Sequence, residues 1–425
     1  MHPVRHARSG PLVTIAASAI LVGAVVAPPA VALAAAPTLP VGEPAQPQEL
    51  AVQGVAPLTT DRTIAHWHGQ FTDPATGTTY GYNMVGADPA LERDVTIPVD
   101  LIPVKAVFTA QGNFTLDGSS VIERVIASPL FQAADFSSTP AITSAVDGAN
   151  HVQILPGGEL SAGNTSAQYL DATMRSQFDK IGTSYHVRLG RPTVLSPWTI
   201  DCSKASGAAF QNRRGIAYGI CSNYSFNPPW GQWKPDPTHL IIFVTNNILI
   251  GSGRFCCAIG YHLAGRTEGR GAGSISGQGS QAVQTWSVSS YIAPGTFNPA
   301  ISPYESTIDT FNHEIAEWAD DPFANNIIGN WYSPLPPQDG CGNYLETGDA
   351  VDRVEYGLPG NIYDGGPYAD GYWHLQDTNF LPWFSRQAPN TTSQVTQTPS
   401  ASRGRYSFMG DLNPYPAFHQ PAATC

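Results

Sequence analysis

From Thr310 to Pro322 the chain reads Thr-Phe-Asn-His-Glu-Ile-Ala-Glu-Trp-Ala-Asp-Asp-Pro. That places an imidazole and several carboxylates on about three turns of expected helix. With His313 set at zero and about 100° per residue, Glu317 falls near 40°, Asp320 near −20° and Glu314 about a quarter turn away. One face therefore offers a nitrogen and two carboxylates, with a third carboxylate beside them. Ile315, Ala316 and Ala319 are the residues such a helix would turn toward a core, so the polar stripe is more than a solvated face. Pro322 ends the helix, because it cannot donate in the ladder and disfavours α backbone in the residue before it. Asp320 and Asp321 thus meet the negative end of the helix dipole, which costs roughly 0.3–1 kcal/mol each at exposed sites. A bound cation would reverse that sign.

His-Glu-x-x-x on a helix opens the signature of zinc hydrolases, where two ligands lie four residues apart and the Glu after the first is the base. Here Glu317 stands where the second His belongs. The expected ligands are His313 and Glu317, with Glu346 third, taken from the acidic passage Gly340-Cys341-Gly342-Asn343-Tyr344-Leu345-Glu346-Thr347-Gly348-Asp349. Asp320, Asp349 and His262 are the alternates. Glu314 is the expected base for a metal-bound water. Two carboxylates and one neutral imidazole cancel the charge of Zn²⁺, so its water would be acidified less than beside two histidines. Ca²⁺ or Mn²⁺ is the alternative to zinc. The plainer readings are an i, i+4 polar pair for His313 with Glu317, a surface carboxylate for Glu314, a turn bonded to local amides for Asp320 and Asp321, and a loop histidine for His262. No Gly-x-Ser-x-Gly elbow, phosphate-loop lysine or dinucleotide fingerprint competes with this helix.

The elements that must position these groups can be read in order. Thr78 to Asn83 suggests a strand. Val95 to Phe108 is β-branched and apolar but interrupted by Pro98 and Pro103, which predicts an edge or bulged strand. Short helix is expected over Ser119 to Ala127, and a longer one over Ser166 to Ile181, where Tyr169, Leu170, Met174, Phe178 and Ile181 form a buried stripe. Tyr185 to Leu189 alternates as a strand, and His239 to Val244 reads as a central strand covered on both faces. Gly251 to Gln281 is Gly and Ser dense and reads as a long surface loop. Gln284 to Ile292 reads as a half-exposed strand, and residues 322–425 as irregular chain closing over the site.

The first residues are basic and lead into an apolar run from Leu12 to Val31 that ends in Ala32-Leu33-Ala34-Ala35-Ala36. This predicts a signal peptide, 1–34, and export. Pro28 and Pro29 break the run and argue against a retained anchor, and nothing later approaches the roughly 20 apolar residues of a membrane span. Residues 35–60 are expected to be a disordered Pro/Ala-rich lead-in, and 61–425 to form one domain. A net charge of −12 with 13% charged residues and no basic patch excludes a nucleic-acid binder. The six cysteines predict disulfides in an exported chain, with Cys202 to Cys221 and Cys341 to Cys425 the expected pairs.

His-Glu-Ile-Ala-Glu, then Asp321-Pro322, Trp331-Tyr332, Glu346 and Asp349 together resemble the shared core of secreted zincin-like proteins, to which the plant phosphate-induced/EXORDIUM proteins are also similar. The resemblance covers about forty residues. It implies an α/β (α+β) fold in which a zincin-like mixed sheet backs the metal helix and an edge strand, here Gln284 to Ile292, receives the substrate. The implied function is a secreted metal-dependent, peptidase-like hydrolase acting on a peptide or protein, with no nucleic acid and no membrane after cleavage. The alternative is a non-catalytic extracellular module in which the same residues hold a structural cation and exposed aromatics contact carbohydrate, cell wall or protein.

Overall fold

The computed structural model describes residues 38–42, 54, 61–137, 143–146, 152–155, 165–204, 207–252, 255–266, 282–297, 305–333, 340–352, 354–387 and 406–408. The expected signal peptide, most of the lead-in and Cys425 lie outside these residues. In chain order the strands and α-helices are β1 (His66–Thr72), β2 (Thr79–Val85), β3 (Asp94–Ile97), β4 (Val99–Phe108), β5 (Phe114–Asp117), α1 (Ile122–Ala127), β6 (Thr143–Val146), β7 (Val152–Leu155) and α2 (Tyr169–Gln177). Next come β8 (His186–Leu189), β9 (Thr193–Val194), β10 (Trp198–Asp201), β11 (Ala208–Gln211), β12 (Ala217–Cys221), β13 (Leu240–Asn246), β14 (Ile248–Ser252), β15 (Phe255–Ala258), β16 (Gly260–Arg266) and β17 (Val283–Tyr291). The remainder is α3 (Asp309–Asp320), β18 (Ile327–Ser333), β19 (Gly340–Tyr344), β20 (Val354–Pro359), β21 (Tyr372–Gln376) and α4 (Leu381–Phe384).

The principal sheet is mixed and runs β10-β4-β13-β17-β16, with β5 and β9 also on β4. β10, β4, β13 and β17 are mutually parallel, and β16 is antiparallel to β17. Side chains on β13 alternate between two cores, as the period of a strand requires. Leu240, Ile242 and Val244 share one core with Phe311, Ile315 and Trp318 of α3, while Ile241 and Phe243 share the other with Trp198, Trp230 and Trp286. The reading of this strand as central and doubly covered matches.

Four expectations need correction. β17, taken as a half-exposed edge, is buried along its whole length and paired on both sides, so among the described residues the edge strand beside it is β16. Its Thr and Ser side chains suggested exposure, but all are buried, and Trp318 Nε1 of the helix donates to Thr285 Oγ1 at 3.0 Å. Gly251 to Gln281, taken as surface loop, contains β15 and β16, and its His262 is buried. β4 is interior despite its proline: Pro103 falls between the stretch paired with β9 and the stretch paired with β10, where a missing N–H breaks no ladder bond on that side. Residues 322–425 are far from patternless, contributing β18 to β21 and α4, with β20 and β21 in a four-stranded sheet with β6 and β7.

Cys202 and Cys221 form the expected disulfide. Cys257 and Cys341 are disulfide-bonded as well, and the expected partner of Cys341, Cys425, lies outside the described residues. Within the lead-in, Val41 bridges Gln211 in parallel. Among the described residues no helix is long and apolar enough to cross a membrane.

Candidate metal centre

α3 packs against β16, β17 and β21, and its apolar stripe faces the core. That orientation leaves His313, Glu314 and Glu317 looking toward β16 and toward the turn after β19. His313 and Glu317, one helical turn apart, bring Nε2 and Oε2 to 3.1 Å. Asp349 from the turn sets Oδ1 3.6 Å from the same Nε2. On the other side, His262 of β16 places Nδ1 3.8 Å from Glu314 Oε2 and 3.7 Å from Glu317 Oε2. Two groups result, His313/Glu317/Asp349 and His262/Glu314/Glu317, each with ligand atoms close enough together to hold a metal ion. Glu317 belongs to both. Exposure is 1% for Glu317, 3% for Glu314 and 6% for His262.

The hydrogen bonds on the far sides of the two rings decide which nitrogens carry protons. Gln376 Nε2 donates to the Gly348 carbonyl at 2.7 Å, which fixes the side-chain amide and leaves its Oε1 to accept from His313 Nδ1 at 2.9 Å. Gln376 is itself held by Asn312, whose side chain bonds both its backbone N–H and its carbonyl, at 2.9 and 2.8 Å. His262 Nε2 faces the Asp321 carbonyl at 3.1 Å and can only donate to it. In the neutral rings the unprotonated nitrogens are therefore His313 Nε2 and His262 Nδ1, and both point at Glu317 Oε2. A carbonyl that fixes the tautomer of a ligating histidine is a recurrent support of metal sites. Lone pairs aimed at carboxylates repel unless a proton or a cation lies between them.

Ligand atoms about 2.0–2.2 Å from a tetrahedral ion lie roughly 3.3–3.6 Å from one another. The 3.1 and 3.6 Å spacings around His313 bracket that range, and the His262 group is wider. Glu317 Oε1 does not compete for the ion, because it accepts from the backbone N–H of Gly348 at 3.2 Å and of Asp349 at 3.1 Å. Two glycines make the close approach possible. A Cβ on Gly348 would stand 2.6 Å from His313 Nδ1, and one on Gly260 would stand 2.5 Å from Glu314 Oε1.

The electrostatics show a centre short of positive charge. Burial disfavours a proton on His313, yet Glu317, Glu314 and Asp352 outweigh it and raise its pKa well above the ordinary range. For His262 burial is likewise outweighed, by Glu346, Glu314 and Glu317. Burial would raise the Glu317 pKa, but His313 and His262 bring it below the usual carboxylate range. Glu314 is raised by burial, against the pull of His262 and His313.

The sequence-derived residues separate into those brought together and those not. His313, Glu314, Glu317, Asp349 and His262 converge. Glu346 is in neither group, but it borders the second, with Oε2 4.0 Å from His262 Nε2. Asp320 belongs to neither group. It lies seven residues and about 10 Å along the helix from His313, and its Oδ1 accepts from Gln177 of α2 at 2.8 Å. Burial lifts its pKa to about 7. Asp321 caps the turn that follows, accepting from the backbone N–H of Asn325 and Asn326 at 2.8 and 3.0 Å, which is the plain reading given for it above. Asn312, Gln376, Gly260 and Gly348 escaped the sequence reading. Only Asn312 and Gly348 carried a signal there, by adjacency to His313 and Asp349.

Compared with known protein families, curated proteins and solved structures, the chain matches none.

Proposed function

We propose that this chain is a secreted metal-dependent hydrolase of peptide bonds, with Zn²⁺ on His313, Glu317 and Asp349 and with Glu314 as the base. One observation carries the reading: two imidazoles, each with one ring nitrogen committed to a carbonyl, turn their other nitrogens onto the same carboxylate oxygen. A divalent ion at such a place polarises a carbonyl and acidifies a water. Glu314, a buried carboxylate with a raised pKa, is suited to receive the proton and return it to a leaving amine. Among the described residues β16 is paired on one side only, and an extended peptide adds to a sheet through the backbone groups of such a strand. The basic and apolar leader and the disulfides support export.

The test has two parts. The purified chain should contain close to one equivalent of zinc. Glu314→Gln should keep that zinc while losing turnover of a broad peptide library by two orders of magnitude or more. A chain that takes up no divalent ion ends the proposal. A second reading, a structural cation in a non-catalytic module, is favoured by the near-complete burial of Glu314 and Glu317. It is supported instead if metal is present and neither form shows turnover.

A further inference from the structure

Glu317 is built to serve two positions at once. Its Oε1 is taken by two backbone N–H groups, and Oε2 faces His313 Nε2 on one side and His262 Nδ1 on the other. A carboxylate oxygen has two lone pairs, so one is available to each side. We propose that the centre takes two divalent cations, the first on His313, Glu317 and Asp349 and a second, weaker one on His262, Glu314 and Glu317, with Glu317 Oε2 shared between them. This deepens the metal-site reading above and rests on it.

Three observations carry the second position. His262 is fixed by its bond to the Asp321 carbonyl, which directs Nδ1 at Glu314 and Glu317. Glu314 is buried and stands outside the His313 group, and the basic group beside it is the His262 ring, with Nδ1 3.8 Å from Oε2. Finally, ions each about 2.1 Å from one shared oxygen can sit up to roughly 4 Å apart, within the spacing of two-metal sites. The ligand spacings of 3.7 and 3.8 Å on the His262 side, against 3.1 and 3.6 Å on the other, make the second position the looser one.

The arrangement has a regulatory consequence. With the second ion bound, Glu314 is a ligand and no longer a free base, so occupancy of the second position silences the hydrolase. Zinc above the first equivalent is then an inhibitor.

The test is stoichiometric. The full chain, stripped of metal, is dialysed against rising Zn²⁺ and its bound zinc counted by mass spectrometry. Two equivalents are expected, the second binding at least tenfold more weakly. His262→Gln, whose amide can still donate to the Asp321 carbonyl, should bind one, and Glu314→Gln should read the same loss should His262→Gln fail to fold. A wild-type count of one overturns this inference and leaves the first site standing, whereas a count of zero removes both. A second equivalent that survives in the folded variants overturns it as well, since that ion is then bound elsewhere.

Discussion

Gly348 lies against the ring of His313, so near that a Cβ there would stand 2.6 Å from Nδ1 and 2.9 Å from Cε1. Its backbone, at φ −81° and ψ −42°, is one any residue adopts, so what the position requires is space. That contact lets a single turn place two N–H groups on Glu317 and a carbonyl on Gln376. Gly348→Ala should push ring and turn apart. Zinc affinity, read by competition with a chromophoric chelator, is expected to fall about 10–100-fold, the range seen when the supports of ligating groups are lost.

Gln376 sets the tautomer of His313 without standing among the candidate ligands. Replacing it by leucine removes the acceptor of Nδ1–H and frees the ring to rotate or to move its proton to Nε2. A loss of about 10–100-fold in zinc affinity is expected, with the fold intact by circular dichroism. Unchanged affinity would show that the ring is held by something other than this bond.

Asp320 gives a pH signature separate from the ligands. Burial brings its pKa to about 7, despite the hydrogen bond from Gln177, whereas an unfolded Asp titrates near about 3.9. The fold therefore favours the protonated form. Its contribution is whole below about pH 3.9, declines as pH rises and is fully lost once pH passes the folded value near 7. Asp320→Asn keeps an acceptor for Gln177 and cannot ionise. In metal-free protein the two melting temperatures should coincide near pH 4, diverge in favour of Asp320→Asn up to pH 7, and keep a constant gap of several degrees above it.

The Cys202–Cys221 disulfide closes a loop with a sequence separation of 19. It joins the end of β10 to β12 across two sheets. Replacing both by alanine should lower the unfolding free energy by about 3 kcal/mol on the chain-entropy account, measured by urea denaturation under non-reducing conditions. A change within error would mean that the surrounding packing already restricts the loop.

The periodicity of α3, the doubly covered strand β13 and the Cys202–Cys221 pair were legible because each is a local property: helical spacing, an apolar run, a short separation along the chain. The edge and the interior of the main sheet were not. The Ser and Thr of β17 read as half exposed, and the glycines around β16 read as loop. Strand order depends on which segments meet, and composition carries no record of that.

At the site itself, the sequence determined that His313, Glu314 and Glu317 share a stretch of helix surface, because helical geometry follows from spacing alone. Only the tertiary structure decided that Asp349 rather than Glu346 faces His313, that Asp320 turns to Gln177, and that His262 arrives from a strand beside the helix. Those choices rest on directions of side chains and on carbonyls that fix ring protons, and such directions exist only once distant segments are packed together.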